Sequence, residues 1–172
     1  MGNPVEITNT VAFIDYFEKI RGRTRRVIAC IPPDRVEWTY KHGKFTFGDL
    51  IRHLGGTERH MFVENVIGGV SRYPGCGREL ANGHEQALVY LDACHTESID
   101  IIAKLSDKDL LAKCNTPGGA SITVWKWLRA MIEHEIHHRG QIYMMLAILG
   151  IETPPLYGLT AEQVLDRSQQ EA

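Results

Sequence analysis

The sequence predicts an all-α protein, a four-helix bundle with a long crossover loop and a short C-terminal helix. Three observations carry this. Apolar residues recur at three- and four-residue spacing over four separate stretches, the signature of helices with one buried stripe. No stretch shows the period-two alternation of a half-buried strand. Pro and Gly gather between the periodic stretches, where they end helices. The 172 residues are expected to form a single domain, residues 1–172, long enough to bury a core.

The first helix lies within residues 8–30, on Val11, Ile14, Phe17, Ile20, Val27 and Ile28, with Asp15, Glu18, Lys19 and Arg25 outward. Thr8 or Asn9 caps it, and Pro32-Pro33 ends it, since proline lacks the amide hydrogen and disfavours helix in the residue before it. Residues 35–45 read as an irregular loop. Thr46 caps the second helix and Asp49 sits in its first turn, where a carboxylate favours the exposed amides. Its inner face reads Leu50, His53, Leu54, Thr57, Met61. Gly55-Gly56 interrupt it, each costing about 1 kcal/mol against Ala, but the periodicity resumes through Phe62 and Val66. Two small residues there would let a neighbouring helix or a ligand come close.

Residues 68–83 (GGVSRYPGCGRELANG) form the longest loop. A third helix follows over about 82–105, on Ala87, Leu88, Leu91, Cys94, Ile99 or Ile102, and Leu105. A short helical turn runs from Ser106-Asp107 to Leu111. Thr116-Pro117-Gly118-Gly119 is a turn, and Ser121 or Thr123 caps the fourth helix. That helix, Trp125 to Leu149, carries the inner stripe Val124, Trp127, Leu128, Met131, Ile142, Met145, Leu149. Gly150 stops it. After Thr153-Pro154-Pro155, Thr160 and Gln163 have the capping-box spacing for a last short helix.

Composition narrows the function. A net charge of −2 gives no electrostatic reason for nucleic-acid binding, so no nucleic-acid partner is expected. No apolar run is long enough to cross a bilayer, so no membrane partner is expected either. The N-terminus lacks a basic stretch followed by an apolar one, hence no signal peptide. Met1-Gly2 superficially invites myristoylation, but Glu6 stands where a Ser or Thr is needed. Cys30, Cys76, Cys94 and Cys114 show no Cys-x-x-Cys pair and read as thiols in a reducing cytoplasm.

The informative departure from pattern is on the fourth helix. His134 and His138 fall on its inward stripe, where Leu or Ile is expected. At i, i+4 their imidazoles lie one above the other on one face. Each would pay desolvation unless its nitrogens found partners. Hydrogen bonds in the core or one shared metal ion would both satisfy them. Residues 134–138 also spell His-Glu-x-x-His, which in zinc proteases supplies two ligands and a glutamate base, here Glu135. Against that reading stand the lack of an upstream strand to align a peptide and the early Gly140 with no later histidine. Glu162 is where a downstream carboxylate ligand would be sought.

His134 followed by His138-Arg139-Gly140-Gln141, late in a long fourth helix, resembles the signature of the DinB-like (DNA-damage-inducible) superfamily. Asp49-Leu50-Ile51-Arg52-His53-Leu54 is similar to that family's Asp/Glu-Leu-x-x-His stretch early in helix two. Leu149-Gly150-Ile151 with Pro154-Pro155-Leu156-Tyr157-Gly158 extends the likeness over nearly the whole chain. The resemblance implies a bundle that holds a divalent metal through His53, His134 and His138. Under it Glu135, about 100° round the helix from His134, is no base and faces solvent or a partner helix. His137, next to the site, is then either a group supporting the ligands from behind or a surface residue, the surface being favoured. His60, two turns after His53, is not a ligand because Thr57 and Met61 fill that face. His42, His84 and His95 read as loop or surface residues.

Three histidines leave an ion with open positions, as in catalytic sites. Imidazole ligation suits zinc or nickel, with iron also expected, and copper is compatible. The ion keeps its full charge and lowers the pKa of a bound water or thiol. The resemblance therefore implies a metal-dependent hydrolase, or a transferase using a low-molecular-weight thiol such as bacillithiol, mycothiol or glutathione on a small-molecule substrate. Gln141 is the one further residue near enough to the ligand face to take part. The non-catalytic alternative is a metal-binding stress-response module that forms a homodimer through helix faces, with Trp38, Trp125 and Trp127 as interface candidates beside their commoner use in cores.

Overall fold

The computed structural model describes residues 7–170; the Met1-Gly2 acylation motif lies outside the described residues. Helix α1, Thr10–Ile28, is capped by Asn9, whose Oδ1 accepts the Ala12 N–H at 2.8 Å. Its buried stripe is Phe13, Phe17, Ile20, Arg21, Thr24, Val27 and Ile28. Val11, expected inward, is 75% exposed. It precedes Phe13 by two residues, about 200° round the helix, so both cannot face the core.

Helix α2, Phe47–Thr57, opens on a capping box: Asp49 N–H donates to Thr46 Oγ1, and Thr46 N–H to the Asp49 carboxylate, both at 2.9 Å. The helix does pass through Gly55-Gly56. It continues as a π-helical turn, Glu58–Val63, and a last α turn, Glu64–Val66. A Cβ on Gly55 would stand 3.2 Å from Leu91 Cα, so this glycine is what lets the third helix approach. The loop that follows is tied down by Arg52, whose Nε and Nη1 donate to the carbonyls of Cys76 and Ala81 at 2.6 and 2.9 Å. The Arg52 guanidinium in turn pairs with Glu37 and Asp49 at 2.9 and 2.8 Å.

Helix α3 is His84–Ile102, followed by a 3₁₀ turn at Asp109–Leu111. A hairpin absent from the sequence prediction comes next: β1, Lys113–Asn115, antiparallel to β2, Ser121–Thr123, with Cys114 opposite Ile122. Three residues per strand are too few for alternation to show. Helix α4, Val124–Ile148, starts from Thr123 without a side-chain cap and stops at Gly150, whose φ of 70° is left-handed. Helix α5, Ala161–Gln170, has the expected Thr160–Gln163 capping pair and lies wholly exposed.

Two apolar halves fill the interior. One joins Phe13, Phe17 and Ile20 of α1 to Val124, Trp125, Leu128, Met131 and Ile132 of α4. The other joins Val27 and Ile28 to Leu50, Leu54, Leu91, Ile142 and Leu146. All three tryptophans pack in or against these halves. Between them runs a polar belt drawn from every long helix: Arg21 and Thr24, His53 and Glu58, His95 and Ser98, Glu135, His138 and Arg139. No described helix is long and apolar enough to cross a membrane.

Candidate metal centre

One end of the belt holds the histidines. His53 comes from α2 and His134 and His138 from α4; each offers a ligand nitrogen, and these atoms all lie within 4.8 Å of one another. His134 Nε2 stands 3.1 Å from His53 Nε2 and 3.0 Å from His138 Nε2. Nitrogens bound to one ion at about 2.0–2.1 Å sit roughly this far apart.

The outward nitrogens say which way the lone pairs point. His138 Nδ1 is 2.7 Å from Gln141 Oε1, an acceptor only, so Nδ1 carries the proton and Nε2 presents its lone pair inward. Gln141 is held in that orientation by its amide nitrogen, 3.1 Å from His137 Nε2. His53 Nδ1 is 2.7 Å from the Tyr73 hydroxyl, which can accept from it. Tyr73 reaches the site because Arg52 fastens its loop to α2. A neutral His134 can give its one N–H to only one of the two lone pairs that face it, which leaves at least one nitrogen lone pair unpaired at the centre, so the donor set fits a divalent metal. Phe45 packs on His53 and His138 at ring distances of 5.5 and 6.4 Å, and Phe62 on His134 at 5.5 Å.

Burial keeps the imidazoles neutral. It lowers His53 to about 4, with His138 adding to the shift, and His134 to about 3, helped by His138 and His53. His138 is also lowered, by burial first, against the Gln141 bond that raises it. Neutral imidazole is the metal-binding form.

Glu135 is not part of this cluster. It is 2% exposed and turned to α1, where it accepts from Thr24 Oγ1 at 2.5 Å and pairs with Arg21 at 3.1 Å. That is the partner-helix position, not the base of a His-Glu-x-x-His protease. His60 stands outside the cluster, Glu162 is exposed on α5, and His137 is at the surface. His42 is exposed and His84 half-buried. His95, expected at the surface, is 3% exposed and bridges Glu58 and Glu18 at 2.9 and 3.1 Å. Its two carboxylate partners replace water, which makes the burial tolerable. Tyr73 and Phe45 gave no signal in the sequence, because each reaches the site from a loop.

The DinB superfamily model matches residues 16–142, a span that includes all three histidines. The chain belongs to the DinB superfamily. Solved structures of DinB-like proteins share the fold. One from Bacillus cereus superposes with a TM-score of 0.73 at 14% identity, covering 86% of this chain and 97% of its own. One from Bacillus subtilis gives 0.67 at 20% identity, covering 84% and 96%. YfiT from Bacillus subtilis, described as a probable metal-dependent hydrolase with an unusual four-helix bundle topology, gives 0.67 at 14% identity over 88% and 95%. A comparison with curated proteins finds no match.

Proposed function

We propose that this DinB-family chain is a metal-dependent enzyme in which His53, His134 and His138 hold a zinc, nickel or iron ion that activates a nucleophile. The observation that carries this is the convergence of three Nε2 atoms from two helices, with Tyr73 and Gln141 on the outer nitrogens of two of them. When bound, such an ion supplies Lewis acidity that lowers the pKa of a water or thiol and polarises an electrophile. The chain's own residues then do four things. The three imidazoles stay neutral and present lone pairs. Tyr73 and Gln141 hold the ring orientation of His53 and His138. Phe45 and Phe62 keep water off the ring faces. The helices keep the donors fixed.

Hydrolysis is the leading reading, and the probable metal-dependent hydrolase YfiT, which has the same fold, supports it. A second feature favours transfer of a low-molecular-weight thiol. Among the described residues no carboxylate belongs to the cluster, and Glu135 is committed to Arg21 and Thr24. A thiol, whose pKa is about 8.5 before any metal acts, needs less help from a protein base than water does.

Elemental analysis of purified protein against His53→Ala tests the site: the wild type should carry close to one metal per chain and the variant little. Turnover of a panel of esters, amides and epoxides, with and without glutathione, mycothiol or bacillithiol, separates the two routes. Full metal retention in His53→Ala would end the reading.

A further inference from the structure

Beside the histidines lies a hollow of about 410 Å³, walled by Tyr40, Phe45, Leu50, Met144, Met145 and Ile148, with Lys44 and Gln141 at its edge. It shares two residues with the metal centre. Phe45 lies against His53 and His138, and Gln141 bonds His138. The volume is that of a small-molecule site, and the wall is apolar with few polar groups, as such sites are. Four of its residues are large apolar side chains left in water: Met144 is 63% exposed, Ile148 56%, Tyr40 53% and Phe45 42%. A cluster of that kind beside a reactive centre marks a surface that a ligand covers.

Charge narrows the ligand. Lys44 is the one charged residue in the wall, which contains no carboxylate. The described residues give Lys44 no ion pair, whereas Arg52, two residues after Leu50, is paired with Glu37 and Asp49. Lys44 belongs to the loop that also supplies Tyr40 and Phe45.

We infer that this hollow is the substrate subsite of the centre and takes an amphiphilic anion, an alkyl or aryl body lying along Phe45, Met144 and Ile148 with its negative group at Lys44. The inference rests on the reading of the three histidines as a reactive metal centre, since it places the substrate's other end there.

The probes are hexanesulfonate, hexanol and hexylammonium, which share one apolar body and differ in charge; sulfonate is a poor metal ligand. Each is titrated into the purified protein by calorimetry, with methyl NMR of Met144, Met145 and Ile148 reporting location. Hexanesulfonate should bind at least tenfold tighter than hexylammonium and shift those methyls. Lys44→Glu should remove or invert that preference. Ile148→Glu, at an exposed position, should weaken hexanesulfonate about tenfold without changing metal content. Equal binding of the three probes, or shifts confined to other methyls, would overturn the inference. Metal analysis on the same sample separates it from its premise. Bound metal with no anion preference overturns the subsite alone. Anion preference in a chain that binds no metal leaves the hollow as an anion site but overturns both the metal reading and the hollow's role as that centre's subsite.

Discussion

Gln141 Oε1 can only accept, so the proton between it and His138 Nδ1 belongs to the imidazole, and the inward Nε2 is left as a bare lone pair. Outer partners of this kind typically govern metal affinity by 10–100-fold. Gln141→Leu and Tyr73→Phe should each lower affinity by about that factor in a competition titration against a chelator, while Gln141→Glu, which keeps an acceptor, should retain most of it. Unchanged affinity in both deletions would reduce these residues to packing. Acid should act through the same rings. In metal-free protein His53 is depressed to about 4 and His134 to about 3, both below the roughly 6.5 of an unfolded imidazole. Between those values the unfolded chain binds more protons. This part of the stability is therefore complete above about pH 6.5 and is lost as pH falls through about 4 toward 3. Denaturant midpoints of metal-free protein should fall over that window, and by less in His53→Ala, which lacks one of the titrating rings. The histidine pair was legible from spacing, because two polar residues on an apolar stripe break the pattern. Tyr73 was not, since a contact between a Gly-rich loop and a helix has no period.

At the scale of the element, the informative segment is the π turn after α2. It carries Glu58, buried, to the guanidinium of Arg21, which also meets Glu135. One cation faces two carboxylates, and they diverge. Burial would raise Glu58, but Arg21 and His95 outweigh it and hold it below the usual range. Burial also acts on Glu135 and there prevails over Arg21, pushing it up. Glu58 also makes the closer contact with Arg21, which marks it as the principal counter-ion. Glu58→Gln should cost about 3–5 kcal/mol, the typical loss when one partner of a buried pair is removed, measured by urea denaturation. Glu135→Gln keeps a group that can bond Thr24 and should cost clearly less, with metal content unchanged. Equal losses would show that the charge is shared. The Glu135 variant should also retain turnover, whereas the protease reading requires its abolition. The ion-paired part of this belt, Arg21 with Glu58 and His95, was not legible. Arg21 falls on the buried stripe at the right spacing, four residues after Phe17, yet a charged residue there reads as a surface position until the π turn and α4 supply its two partners. The four long helices and their ends were legible because caps, prolines and glycines act locally.

For the whole molecule, the belt matters because it separates the two apolar halves and sets the histidines where α2 and α4 meet. His53 is tied through α2 to the half containing Leu50 and Leu54, and α4 runs through both halves. A metal held by His53 together with His134 and His138 would therefore link α2 to α4 across the belt, and would bind the folded chain far better than the unfolded one. Such a ligand at one hundred times its dissociation constant stabilises the fold by about 2.7 kcal/mol. Spread over a chain of this size, an increment like that shifts a thermal midpoint by several degrees. Removing metal with a chelator should thus lower the midpoint by about 5–10 °C in the wild type, restoring metal should recover it, and His53→Ala should show a low midpoint that no longer responds to either treatment. The response should vanish together with the metal count, because both depend on the same three nitrogens. A chelator-insensitive wild type that still carries metal would mean that the ion sits on one helix alone, with His134 and His138 holding it and His53 a bystander.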